Sequence, residues 1–178
     1  PIYKSLDEAL THGGISNNLK VNLIRIESDH LKPSEIKNKL KGATGILIPG
    51  GFGKRGTEGK IAAIKYARQN KVPFLGICFG MQMAVIEFAR NKLNIKKATS
   101  SEFGQSKASV VGLMSEWIKD GKLMKGTEKK LGGTMRLGLY EARLKKDTKI
   151  SKIYKTLKIR ERHRHRYEVN INYKKDFE

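Results

Sequence analysis

The chain has 178 residues, and its 37 lysines and arginines against 17 aspartates and glutamates give it a formal net charge of +20. This length suits one domain with a sizeable core, and an apolar content of 38% excludes a mainly disordered protein. The single cysteine, Cys78, excludes an internal disulfide framework and favours a reducing compartment, for which we take the cytoplasm.

The positive charge invites a nucleic-acid interpretation, because basic patches attract phosphate backbones. The cations are nevertheless scattered along the chain, and its basic C-terminal third holds few aromatic side chains on which bases could stack. We therefore interpret most lysines as solvated surface and predict no nucleic-acid partner. A basic nucleic-acid-binding module built on residues 160–166 stays open as an alternative function.

The most apolar run, residues 72–89, contains Pro73, Gly76 and Gly80 together with polar side chains. This pattern is typical of a strand, a turn and a buried helix face rather than of a bilayer span. We therefore predict no membrane partner.

The first half of the chain predicts alternating helices and strands. We expect the first helix to stop at Gly13 and Gly14, and Pro33 to open a later one, since proline suits a first helical position. Alternating or continuous apolar runs predict the strands. The predicted order is helix 1–12, strand 21–26, helix 33–41, strand 45–48, helix 57–70, strand 72–77 and helix 79–90.

Three strands joined by helices imply right-handed parallel crossovers. Short segments at residues 109–114, 135–144 and 159–170, the first two with a glycine, predict further strands, and the polar segment 115–134 predicts a long loop. The predicted fold class is α/β, an open, doubly wound, mostly parallel sheet with flanking helices and an antiparallel extension. We expect a single domain over residues 1–178.

Two glycines frame the cysteine at a predicted strand-to-helix junction, in the string Gly76-Ile77-Cys78-Phe79-Gly80. A nucleophile on such a turn is exposed above the sheet, and small neighbours relieve the crowded backbone. The helix that follows offers a positive dipole end and backbone N–H groups, which favour a thiolate and stabilise an oxyanion. A buried, inert cysteine is the structural alternative.

A second glycine motif, Pro49-Gly50-Gly51-Phe52-Gly53, ends the neighbouring predicted strand. Loops at the carboxyl ends of adjacent parallel strands meet over one crevice, where a glycine lets a backbone N–H approach an oxyanion. Alone, the motif fits a tight turn or a phosphate-binding loop equally well. Together with Cys78 it predicts acyl transfer through a thioester.

Longer strings around these motifs resemble a class I glutamine amidotransferase, and more narrowly the glutaminase domain of the CTP synthase family. The resemblance covers nearly the whole chain. Its strings are residues 48–60, 75–82, 101–103, 131–138 and 161–170, and the last two are the most specific.

The resemblance implies that Cys78 attacks the side-chain amide of L-glutamine and releases ammonia, which a synthase domain uses with ATP to aminate UTP to CTP. Gly51 and the backbone of Phe79 would hold the oxyanion. An arginine suits the α-carboxylate of glutamine, and a carboxylate suits its α-ammonium. The residues implied for the glutamine site are Gly51, Phe79, Gly80, Met81, Gln82, Glu102 and Arg166.

Phe52 and Arg55 resemble positions near GTP, the allosteric activator of the family, and residues 122–134 resemble the lid over that site. The resemblance also implies a synthase domain in the same full-length chain and a homo-oligomeric whole enzyme. We expect no metal or cofactor in this segment, since ATP and Mg²⁺ belong to the synthase domain.

A cysteine glutaminase needs a histidine base oriented by a carboxylate, which the family supplies in a His-Pro-Glu string. The four histidines of the chain are His12, His30, His163 and His165, and none precedes a proline. We therefore expect a glutaminase domain that is incomplete at both ends and does not turn over alone. Two alternatives stay open: His165 as the base, or another cysteine hydrolase of the same fold class.

Overall fold

The computed structural model describes residues 4–113, the backbone of residues 116–119 and 122–125, and residues 135–177. Its helices are α1 (Lys4–Ser16), α2 (Ile36–Lys39), α3 (Thr57–Gln69), α4 (Phe79–Asn91), α5 (Lys149–Tyr154) and α6 (Lys174–Phe177), with 3₁₀ turns at Pro33–Glu35, Ser101–Phe103 and Ile171–Tyr173. Its strands are β1 (Ile46–Ile48), β2 (Phe74–Gly76), β3 (Thr99–Ser100), β4 (Ser109–Leu113), β5 (Glu116–Lys119), β6 (Lys122–Lys125), β7 (Arg136–Arg143), β8 (Lys158–His165) and β9 (Tyr167–Val169). None of the helices described is long and apolar enough to cross a membrane.

The strands form small sheets of mixed direction. β1 and β2 pair in parallel, with α3 as the connection between them. β3 and β4 are also parallel, whereas β9 is antiparallel to β4 and the pairs β5–β6 and β7–β8 are antiparallel. The predicted α/β class, with its antiparallel extension, is confirmed.

The predicted strand over residues 21–26 is wrong. These residues have no regular structure, and no strand among the described residues pairs with them. Ile24, which the alternating pattern would have buried or paired, is 77% exposed. Alternation alone was insufficient because a strand also needs a neighbour for its backbone N–H and C=O groups.

Other boundaries also differ from the prediction, and the single strand expected over residues 159–170 is divided into β8, which pairs with β7, and β9, which pairs with β4. α1 continues through Gly13 and Gly14 to Ser16, and a Cβ on Gly14 would lie 2.7 Å from the Leu19 carbonyl oxygen. Gly14 therefore allows close packing and does not end the helix. The segment 115–134, predicted as a loop, contains β5 and β6.

The core lies where α3 and α4 cover the β1–β2 pair. On α3, Ile61, Ile64 and Ala67 recur at helical spacing and are buried, so that they share one face of the helix. The remaining buried apolar residues are Ile36, Leu40, Ile46, Ile48, Ala63, Phe79, Met83, Ile86, Ala89, Ala98, Val110 and Val111.

Two glycines allow α4 to begin directly against the strands. A Cβ on Gly80 would overlap the backbone carbonyl of Ile48 at the end of β1. A Cβ on Gly76 would lie 2.7 Å from the backbone of Gly80. Any larger residue at either position would push the helix away from the sheet, because neither obstacle is a movable side chain end.

One buried ion pair joins α3 to α4. The guanidinium of Arg68 donates from Nε and from a terminal nitrogen to the carboxylate of Glu87, at 2.7–3.2 Å. Glu87 is 1% exposed, and its hydrogen bond raises the pKa of Arg68 above the ordinary value. The pair thus compensates a carboxylate that would otherwise be buried without a counter-charge.

We predict that Gly80→Ala lowers the free energy of unfolding by about 1–3 kcal/mol, because the new methyl group meets the Ile48 carbonyl. Gly13→Ala in α1 is the matched control, since its Cβ would meet no atom within 4 Å. This change should be neutral or stabilise by about 0.5–1 kcal/mol through helix propensity. Urea titrations of both variants measure the difference, and equal effects would contradict the packing argument.

We predict that Arg68→Ala destabilises the fold by about 3 kcal/mol, because it leaves the Glu87 carboxylate buried without its partner. Arg25→Ala serves as the control, since Arg25 is 67% exposed in its ion pair with Asp7. Its loss should cost less than about 1 kcal/mol. Thermal unfolding of the two variants tests this, and similar midpoints would show that burial does not strengthen the pair.

Candidate active site

The parallel register of β1 and β2 brings the two glycine motifs to one edge of the sheet. Ile48 is opposite Gly76, and the Ile77 N–H donates to the Ile48 carbonyl at 3.0 Å. The segments that follow both strands therefore leave from neighbouring points. The two loops predicted to meet at the carboxyl ends of these strands are therefore neighbours.

Cys78 occupies the turn between β2 and α4 and is solvent-exposed. Its backbone has φ 53° and ψ −107°, a conformation that side-chain-bearing residues rarely adopt. Such strain is typical of functional turns that the surrounding structure holds in place. The exposure of Cys78 contradicts the alternative of a buried, inert cysteine.

The glycine loop lies against the cysteine turn. A Cβ on Gly50 would be 3.6 Å from the Cβ of Cys78, and one on Gly51 would be 3.7 Å from the ring of Phe79. Phe79 is the first residue of α4, where backbone N–H groups lack intrahelical acceptors. The structure thus brings Gly51, Cys78 and Phe79 together, which is the juxtaposition an oxyanion site requires.

Gln82 joins α4 to the segment that carries Arg166. Its side chain is buried and donates from Nε2 to the Tyr167 carbonyl at 2.9 Å. Arg166 lies between β8 and β9, and its Nε is buried with no hydrogen-bond acceptor among the described residues. A buried guanidinium N–H without an acceptor is suited to an anionic ligand.

Glu102 reaches the glycine loop from another direction. It lies in the 3₁₀ turn Ser101–Phe103, and its Oε1 accepts a hydrogen bond from the Gly53 N–H at 2.6 Å. The next residue, Phe103, packs its ring edge-on against Phe79, with ring centroids 6.2 Å apart. This short turn therefore contacts both halves of the site.

The residues expected near an allosteric nucleotide lie on the outer side of the same loop. Phe52 is 88% exposed, and Arg55 forms an ion pair with Asp29. Met81, expected beside glutamine, is 41% exposed on the first turn of α4. Most of the expected lid, residues 126–134, lies outside the described residues.

The four histidines comprise two exposed residues and one close pair. His12 and His30 are exposed, whereas His163 and His165 share one face of β8 with ring nitrogens 2.8 Å apart. Among the described residues, no histidine forms a hydrogen bond with Cys78. None of the described residues form a cluster of three or more side chains suited to a metal ion.

Comparison with known proteins agrees with this geometry. The family model for glutamine amidotransferase class-I matches residues 2–178. The chain belongs to the class-I glutamine amidotransferase family. It is 71% identical over 176 residues to the CTP synthase of Pelagibacter ubique (strain HTCC1062), covering 99% of this chain and 33% of that protein. It is 59% identical over 173 residues to the CTP synthase of Rhizobium johnstonii, covering 97% and 32% respectively.

A solved structure is similar as well. The Trypanosoma brucei CTPS glutaminase domain with bound acivicin superposes with a TM-score of 0.86 at 36% identity. The match covers 99% of this chain and 65% of the other. The class I glutamine amidotransferase fold is therefore confirmed, and the chain spans about a third of the length of the curated relatives it matches.

For this amidotransferase domain, sequence patterns did not assign a role to Lys60. Its Nζ donates to the Ser28 hydroxyl at 2.8 Å and lies 5.8 Å from the ring centroid of Phe79. Burial lowers the pKa of Lys60, and the nearby Asp29 partly opposes that shift. The only sequence signal was its place in the string that follows the glycine loop, since its partner Ser28 lies 32 residues away.

The histidine pair predicts an acid-sensitive fold. Burial lowers the pKa of His163 and of His165, and the positive charge of Arg136 lowers both further. The negative charge of Glu168 partly opposes both shifts, and Glu161 opposes the shift of His163. Protons then bind more tightly to the unfolded chain. Stability should therefore be lost as the pH falls below about 6.5, the ordinary histidine value, toward the lowered folded-state values.

Unfolding midpoints at pH 7.5 and pH 5.5 measure this loss. The double variant His163→Gln/His165→Gln should show a smaller difference between the two pH values. His12→Gln is the control, since His12 is exposed, and it should keep the full difference. An unchanged pH dependence in the double variant would assign the effect to other groups.

Proposed function

We propose that this chain is the glutamine-hydrolysing part of a CTP synthase, with Cys78 as the nucleophile. One observation carries the proposal: the exposed residue Cys78 lies on a strained turn at the start of α4, beside the Gly50–Gly51 backbone. The family and its relatives support glutamine as the substrate.

The chemistry follows from this placement. The Cys78 thiolate attacks the side-chain amide carbon of L-glutamine, and the carbonyl oxygen becomes an oxyanion. Backbone N–H groups at Gly51 and Phe79 stabilise that charge, aided by the positive end of α4. The C–N bond then breaks as the nitrogen takes up the proton that the Cys78 thiol lost on ionising, and ammonia leaves. Water hydrolyses the thioester to glutamate and restores the Cys78 thiol.

The remaining residues recognise the substrate. Arg166 pairs with the α-carboxylate, which would supply the acceptor that its buried Nε lacks among the described residues. Glu102 holds the α-ammonium, and Gln82 with Gly80 and Met81 forms the wall of the site on α4. These roles suit a zwitterionic amino acid, because both its charges meet an opposite charge.

The rest of the proposed enzyme follows the named relatives. Ammonia is used by a synthase domain, which binds ATP and Mg²⁺ and aminates UTP to CTP. GTP activates hydrolysis by binding beside Phe52 and Arg55, and Arg55 pairs with Asp29 in the free chain. We further propose a homo-oligomeric enzyme of the cytoplasm.

We predict that the 178-residue chain does not sustain glutamine turnover, because Cys78 has no histidine partner among the described residues to protonate ammonia and activate water. Labelling by acivicin needs the binding site and the thiolate but no base for a second step, since a single substitution forms the adduct. We therefore expect one acivicin adduct on Cys78 and no steady ammonia release.

Mass spectrometry measures the adduct, and a coupled assay measures ammonia. Cys78→Ser should remain folded and unlabelled, and excess L-glutamine should slow labelling of the parent chain. Arg166→Met should label roughly ten- to a hundredfold more slowly, as expected for loss of a charge-assisted contact. Labelling that glutamine does not slow would favour another cysteine hydrolase, and steady ammonia release would refute the predicted inactivity.

A further inference from the structure

We infer that Glu102 is a positioning residue that fixes the glycine loop in the geometry needed for oxyanion binding. This role is separate from the proposed recognition of the α-ammonium, and it exists in the free chain. The contact between Glu102 and the loop is present without substrate. Only the link between this contact and oxyanion binding rests on the proposed function.

The contact is short and involves a charged acceptor. Oε1 of Glu102 accepts from the Gly53 N–H at 2.6 Å, across 49 residues of sequence, in a partly buried setting. Hydrogen bonds to carboxylates are roughly twice as strong as those between neutral groups. The loop needs such a tether because Gly53 has φ +76°, and a Cβ there would meet no atom within 4 Å. No neighbouring atom therefore packs against Gly53 where a Cβ would project, and such packing does not order this part of the loop.

Glu102 is itself held in place. The Ser100 hydroxyl, fully buried, accepts from the Glu102 N–H at 3.2 Å and begins the 3₁₀ turn. Phe103 packs edge-on against Phe79, at the other side of the proposed oxyanion site. Adjacent residues of one turn thus connect the glycine loop and the cysteine turn.

The carboxylate can serve two partners. An ionised carboxylate has two oxygens and about four lone-pair positions, and the Gly53 N–H uses one of them. Oε2 can bind the α-ammonium of glutamine without breaking the tether. Substrate binding and loop geometry would then depend on the same side chain.

Three substitutions at position 102 separate the effect of side-chain length from that of charge. Glu102→Gln keeps a carbonyl oxygen at the same distance, Glu102→Asp keeps the charge but shortens the side chain, and Glu102→Ala removes both. We expect hydrogen exchange of the Gly53 amide, followed by NMR in this chain, to accelerate about tenfold or more in the Ala and Asp variants. The Gln variant should stay within about threefold of the parent.

Glu35→Ala is the matched control. Glu35 also lies in a 3₁₀ turn, and its carboxylate accepts from the backbone N–H of Lys32 at 3.0 Å. The variant therefore reports the effect of losing such a hydrogen bond elsewhere in the chain. Gly53 exchange should not change in that variant. If Glu102→Ala does not fold, the comparison of Asp with Gln still decides, because both retain a polar side chain.

Exchange of Gly53 within twofold of the parent in both the Ala and Asp variants would overturn the inference. If Glu102 only paired with the charged α-ammonium of the substrate, Gly53 exchange would stay unchanged in this way, and the Gln and Ala variants would lose acivicin labelling equally. The tether instead predicts slower labelling in Ala than in Gln. Failure of acivicin to label the parent chain would reject the proposed function, while the exchange measurements would still decide the tether.

Discussion

The candidate site depends on one close approach, between the Ile48 carbonyl at the end of β1 and Gly80 in the first turn of α4. With β2 fixed beside β1 by the register of Ile48 with Gly76, the chain must turn from strand to helix in a few residues. Cys78 lies in the middle of that turn, and its positive φ follows from the lack of room. The strain is offset by burial of Phe79 and the apolar face of α4 behind it.

The same constraint explains why the glycine loop needs a tether. Its first glycines contact the cysteine turn, since Gly50 lies beside the Cys78 Cβ and Gly51 beside the Phe79 ring. Gly53 has no such neighbour and is reached only by the Glu102 carboxylate among the described contacts. A loop of glycines leaves room for a substrate oxygen, but it also loses more conformational entropy on ordering than other residues would. The carboxylate contact offsets part of that loss.

Sequence patterns among neighbouring residues predicted the part of the site that neighbouring residues form. Glycines around Cys78 and helical spacing in α3 are features of neighbouring residues, and the structure confirms the elements they predicted. Pro33 opens a 3₁₀ turn, and the helix predicted over residues 33–41 is shortened to α2 (Ile36–Lys39). The strand at residues 21–26 failed because pairing depends on a neighbour that no local pattern reports. The contacts of Glu102 with Gly53 and of Gln82 with Tyr167 span 49 and 85 residues, so their positions could be taken from family resemblance but not their hydrogen bonds.

The buried Nε of Arg166 affects the free energy of ligand binding at the candidate site. A buried donor without an acceptor destabilises the free fold, and here the guanidinium charge increases that penalty. The adjacent Tyr167 carbonyl accepts a hydrogen bond from the buried Gln82 side chain, which ties this segment to α4. An anionic ligand that pairs with Arg166 would therefore remove a penalty as well as add a contact. For the proposed glutamine substrate, the α-carboxylate would be that ligand, because water reaches the buried Nε poorly.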